Sequence, residues 1–126
     1  MINGIKPIVG NTTKTLKVNG KNGLSFDDAM ETLLDNIQLD YAKLKMTHRT
    51  SLDLTLKPGR KFIKVVEGNR VWGFIAKVDG VHKGLPMLKG DILMAAGWRA
   101  PAKHSRGSIF DKEMHKSFSW TGPNYL

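Results

Sequence analysis

Cysteine is absent from this 126-residue chain, which removes disulfides and every thiolate ligand or nucleophile. No apolar run approaches the roughly eighteen residues needed to cross a bilayer. Residues 1–7 also lack the apolar stretch and cleavage site of a signal peptide. No membrane partner and a cytoplasmic location are therefore expected. Catalytic signatures are missing too: there is neither a Gly-x-x-x-x-Gly-Lys phosphate loop nor a nucleophile elbow. The four histidines, His48, His82, His104 and His115, have no ligand spacing with one another or with carboxylates. Asp53, Asp79 and Asp91 would have to converge in space to serve a metal-dependent nuclease, and nothing local supports that. The expectation is a protein without catalytic residues, metal or cofactor.

Acid is the other scarcity. Eleven Asp and Glu face twenty Lys and Arg, for a net charge of +9. A surplus of that size is a statement about partners rather than fold. It is also unevenly spread. Residues 1–24 carry four lysines and no acid, and residues 25–40 carry five acids and no base. From Lys57 to Arg106 eleven cations meet three acids, which accounts for +8 of the total. The last block, 107–126, is neutral and holds Phe110, Phe118, Trp120 and Tyr125.

With 40% hydrophobic and 25% charged residues, the chain suits one soluble domain over residues 1–126. The acidic block predicts a helix at about 26–46. Ser25 can cap it, with Asp28 in the capping-box position, and Asp27, Asp28 and Glu31 suit the positive end of the dipole. Met30, Leu33, Leu34, Ile37, Tyr41 and Leu44 then fall on one face, with Asn36 as a possible interruption. Such a helix would repel phosphates and belongs on the side of the sheet away from an anionic ligand. After it the period becomes two. Leu52, Leu54 and Leu56 alternate with polar residues until Pro58-Gly59, and Arg60–Val66 and Arg70–Val78 are β-rich. Asp79-Gly80 signals a further turn, and Ile92-Leu93-Met94 a short strand. Thr12–Val18 reads as an edge strand before an Asn19-Gly20 turn, and Ala100-Pro101 as the start of a helical turn or ordered loop. The sum is α+β: a mostly antiparallel sheet, one main helix and an irregular basic C-terminal third.

The central hairpin admits two registers. With a two-residue Gly68-Asn69 turn, Ile63 and Val65 share a face with Trp72 and Phe74, and those rings are core. With a three-residue loop, Arg60, Phe62 and Lys64 share a face with Arg70, Trp72 and Phe74. That face would be a basic, aromatic platform of the kind on which unpaired bases stack. Further on, Trp98, Arg99, Lys103, His104 and Arg106 lie in a segment broken by Gly97, Pro101 and Gly107. Cations there can meet phosphates and the ring a base, although Trp98 could equally anchor the loop into the core. The candidate nucleic-acid-binding residues are thus Arg60, Phe62, Lys64, Arg70, Trp98, Arg99, Lys103, His104 and Arg106.

The run Arg60–Val66, the block Ala96–Asp111 and the closing Gly122-Pro123-Asn124-Tyr125-Leu126 carry a resemblance. The block is similar to a Trp-[Lys/Arg]-Ala-Pro-Ala-Lys-His-x-Arg-Gly-x-Ile-[Phe]-Asp motif that follows a β-hairpin in a small phage-encoded family. That family includes single-stranded-DNA-binding RNA polymerase cofactors of virulent short-tailed phages. The resemblance spans residues 57 to 126, and the Ala96–Asp111 block is its distinctive part. It implies a fold other than the OB barrel, single-stranded DNA as partner, and a role in viral transcription beside a phage RNA polymerase in the host cell cytoplasm. Homo-oligomers or cooperative assembly on DNA would accompany that role. The competing reading is a protein-interaction factor that docks a host or phage protein through the acidic helix or the aromatic C-terminus.

Overall fold

The computed structural model of the chain describes residues 21–43 and 51–125. The expected Thr12–Val18 strand, the Asn19-Gly20 turn, Leu44 and His48 lie outside those residues. The main helix, α1, runs Phe26–Ala42 without a break at Asn36. It begins where Ser25 Oγ accepts the Asp28 N–H at 3.1 Å, which satisfies one of the donors that a helix start leaves open. Ala29, Met30, Leu33, Ile37 and Tyr41 are its buried stripe, while Asp27, Asp28, Glu31 and Asp35 face water.

Among the described residues nine strands follow: β1 (Leu54–Pro58), β2 (Phe62–Glu67), β3 (Arg70–Ala76), β4 (Gly80–His82), β5 (Leu85–Met87), β6 (Asp91–Ala95), β7 (Pro101–Ser108), β8 (Phe118–Ser119) and β9 (Gly122–Pro123), with a 3-10 turn at Met114–Ser117 before β8. The main sheet has the order β1-β2-β3-β6-β7, every neighbour antiparallel. This is the α+β arrangement that the sequence predicts. The β4–β5 hairpin is inserted between β3 and β6, and β8–β9 form a second small ribbon. The β4–β5 turn lies at Lys83-Gly84, with φ of 50° and 83°. Two successive positive φ values match the twist of a tight hairpin.

One hydrophobic cluster unites the stripe of α1 with Ile63, Val65, Trp72, Ile75, Ile92, Ile109, Met114 and Phe118. Strand alternation sends the intervening residues to the opposite face. The C-terminal end of α1 is tied to distant chain. Gln38 donates to Leu52 O at 2.9 Å and accepts the Leu52 N–H at 2.8 Å. Asp40 Oδ2 accepts the Trp120 N–H at 2.8 Å, and Trp120 meets Tyr41 edge to face at 5.2 Å.

The hairpin register combines both sequence readings. Glu67 faces Arg70 and Val66 faces Val71, as a two-residue turn requires, and Gly68 adopts φ 58°. A bulge then shifts the pairing, so that Val65 faces Gly73 and Lys64 faces Phe74. The extra residue is Trp72, which is 2% exposed and belongs to the helix-side core. Its ring meets Phe118 at 5.4 Å and its indole N–H donates to Ser119 O at 3.1 Å. Trp72 is therefore core, while Phe74 lies on the face of Phe62 and Lys64.

A second difference concerns the segment expected as a turn or loop from Ala100-Pro101. It is β7, an outer strand of the main sheet. Its pairing with β6 shifts twice, between Ile92 and Leu93 and between Leu93 and Ala95. Those irregularities hide any period of two from the sequence.

Candidate nucleic-acid interface

The face of the sheet turned away from α1 carries part of the candidate set. On β1 and β2 it carries Thr55, Lys57, Lys64 and Phe62, since Thr55 pairs with Val66 and Lys57 with Lys64. Two lysines thus stand directly opposite one another in an antiparallel ladder, an arrangement that like charges disfavour. Lys64 has a partial remedy in Trp98: its Nζ lies 4.3 Å from the ring centroid of that tryptophan. The negative face of an indole attracts a cation at this distance.

Trp98 occupies the tip of the β6–β7 connection. Ala96 and Gly97 both donate to Ala100 O, at 2.9 and 3.3 Å, so the tip is a closed turn rather than a loose loop. The ring is 50% exposed, which separates it from the core-anchor reading. Arg99 beside it, and Lys103 and His104 on β7, are exposed. Pro101 and Ser105 pair with Ala95 and Leu93, which puts Lys103 between them on the sheet's edge.

Phe62 and Arg60 differ in position from Lys64. Arg60 is exposed in the β1–β2 turn rather than on a strand. That turn is closed by Gly59 N–H donating to Phe62 O at 2.8 Å, and Lys77 Nζ donates to Gly59 O at 2.8 Å. Phe62 is half-buried in a small second core. It meets Phe74 at 6.2 Å and His82 at 5.3 Å, edge to face in both cases. His82 also donates from Nε2 to Ala102 O at 3.0 Å, which ties the β4–β5 hairpin to β7.

Two of the candidate arginines are engaged elsewhere. Arg70 pairs with Glu67 at 3.0 Å and donates to the carbonyls of Thr121 and Trp120 at 2.9 and 3.5 Å. It braces the C-terminal ribbon and is not grouped with Lys64. Arg106 donates to His104 O at 3.1 Å and Asn124 O at 3.3 Å, which pins the same tail against β7. Lys103 and His104 lie on β7, with β3 and β6 between them and Lys64, and as strand neighbours they point to opposite faces. The candidates brought together are therefore Lys64 and Trp98, with Arg99 beside the ring. Lys57 joins them although the sequence reading did not single it out. Its signal was legible: it follows Thr55 by two residues in the alternation that already marked Leu54 and Leu56 as inward.

Of the three acids that might have met, Asp79 and Asp91 are neighbours at a cleft of about 510 Å³. Asp53 is elsewhere, at the β2–β3 turn, where its carbonyl accepts the Gly68 N–H. Asp79 Oδ1 accepts the Lys89 N–H at 2.7 Å and Asp91 Oδ2 accepts the Leu88 N–H at 3.0 Å. Burial raises the Asp91 carboxyl above its ordinary value of 3.8, the Leu88 N–H opposes that, and the charge of Asp79 adds to it. Among the described residues no group of three or more His, Asp or Glu side chains could hold a metal ion. No helix among them is long and apolar enough to cross a membrane.

No curated protein and no solved structure matches the chain. One family does, described as a family of unknown function (DUF7717), and the match covers residues 12–126. With nearly its whole length inside that match, the chain belongs to the DUF7717 family.

Proposed function

We propose that this chain is a binding protein for single-stranded nucleic acid, single-stranded DNA first of all, with no catalytic step of its own. One observation carries the reading. Lys57 and Lys64 oppose each other on the sheet face turned away from α1, and Lys64 supports a half-exposed tryptophan. A phosphate between two such ammonium groups would turn a repulsion into an attraction. The open side of Trp98 would take a base, which only an unpaired strand can offer. The acids of α1 lie across the core from this face, so they would not oppose an incoming backbone.

Contact of this kind is made with phosphates and ring faces, so it is largely independent of sequence. A role beside a viral RNA polymerase in the host cytoplasm is the setting implied by the resemblance of the Ala96–Asp111 block, and it belongs to the same proposal. The test is a competition among single-stranded DNA, the matching duplex and RNA of the same sequence, run at two salt concentrations. Single-stranded DNA is expected to compete best, with affinity falling as salt rises. Equal or tighter duplex binding would reduce the face to a generic basic patch.

A further inference from the structure

A second ring stands free of the core at the same end of the sheet. Tyr125 is 87% exposed, yet the chain that carries it is held firmly. The preceding Asn124 donates from its backbone N–H to Ser117 O at 3.0 Å and from its side chain to Lys116 O at 2.8 Å, and its carbonyl accepts from Arg106. Beside the tyrosine is a cavity of about 280 Å³, lined by Arg70, Val71, Met94, Ala95 and Thr121 among others.

The cavity exists because the sheet parts there. Strands β3 and β6 are paired only at Phe74–Leu93 and Ile75–Ile92, and β9 packs where they diverge. Gly73 allows this approach, since a Cβ at that position would come within 3.0 Å of both Leu93 O and Pro123 Cγ. The notch also borders the base of the Trp98 turn. Ala95, one of its walls, pairs with Pro101 at the base of that turn.

We infer that the Tyr125 notch is a second base-stacking site, where a strand crossing Trp98 sets down a further unpaired nucleobase; this rests on the single-strand reading above. The chemistry on the walls fits a base taken without regard to identity. The Arg70 guanidinium is committed to Glu67 and two carbonyls, and the Thr121 and Ser119 hydroxyls pair with each other at 2.7 Å. What the notch offers is a phenol ring, aliphatic walls and nearby positive charge, not a fixed pattern of donors and acceptors that would read a base edge.

The experiment measures affinity for oligothymidylates of about four and about eight nucleotides, within the range of one single-strand module. It compares the full chain with Tyr125→Ala and Tyr125→Phe. The wild-type protein should bind the longer oligomer more tightly. Tyr125→Ala should lose that advantage, a drop of roughly five- to 150-fold for one stacked base, while binding of the shorter oligomer persists. Tyr125→Phe, which keeps the ring, should retain it. Wild-type affinity for both lengths in Tyr125→Ala would overturn the notch and leave the Trp98 interface standing. Absence of binding by the wild-type protein at either length would overturn the interface itself, and the notch with it.

Discussion

The two faces of the main sheet are written in the same strands and have opposite fates. On one, Ile63, Val65, Ile75 and Ile92 are closed over by α1. On the other, Lys57, Lys64 and Phe62 alternate with them, and the β4–β5 hairpin and the Trp98 turn cover part of the surface. The covered face is mostly apolar, with Glu67 at its end, so its core residues are replaceable by others of similar volume. The open face includes a lysine pair that lowers stability and a tryptophan half in water, neither of which the fold requires. Features that a fold tolerates without needing them are where function is best sought.

The tryptophans Trp72 and Trp98 give the sharpest way to break this contrast. Trp72→Ala should cost about 3–5 kcal/mol of stability, the usual penalty for emptying a buried aromatic site, read from the midpoint of urea unfolding. Trp98→Ala should leave that midpoint nearly unchanged and lower affinity for a single strand by roughly 1–3 kcal/mol. If both variants lost stability alike, the open face would be core and the contrast would collapse.

The lysine pair comes next. Lys57→Gln with Lys64→Gln should weaken binding and flatten its dependence on salt, with the slope of log K against log salt falling by about 1.4 for two lost phosphate contacts. The same double variant should be slightly more stable at low salt, because like charges directly opposite in a ladder cost roughly 0.2–1 kcal/mol. An unchanged slope would mean that phosphate passes elsewhere, along Arg99 and Lys103.

The smallest effect is expected at Asp91, at the start of β6 beside the cleft. Its carboxyl is raised in the folded state, mainly by burial, so the native protein holds that proton more tightly than the unfolded chain. Its contribution favours folding fully below the ordinary value of 3.8 and fades as pH climbs through the raised value. Asp91→Asn can still accept the Leu88 N–H. It should therefore be more stable than wild type near neutral pH, with the difference shrinking toward acid. Urea unfolding at several pH values checks this, and a variant destabilised at every pH would contradict it.

How much of this was legible in the sequence follows from locality. The start of α1 was legible because Ser25 and Asp28 act on each other within one turn. The Gly68-Asn69 turn was one of two registers the sequence left open, and the structure takes it with Gly68 at a positive φ. Trp72 was not legible, since a bulge is decided by what the partner strand presents, and the run Arg70–Ala76 looks the same with or without it. Strand β7 was hidden for a related reason: Ala102-Lys103-His104-Ser105 has little β propensity of its own and is extended because β6 lies alongside. The engagements of Arg70 and Arg106 were equally out of reach, because their carbonyl partners at Thr121 and Asn124 are distant in the chain.

The two hydrogen bonds between the Gln38 amide and Leu52 have a consequence for how this domain can change. An amide side chain that both donates to and accepts from one residue's backbone imitates a neighbouring strand. It fixes Leu52 against the end of α1, just before β1 begins, and so couples the placement of the helix to the first strand of the sheet. A side chain without an amide at position 38 would loosen that coupling while both faces of the sheet keep their register.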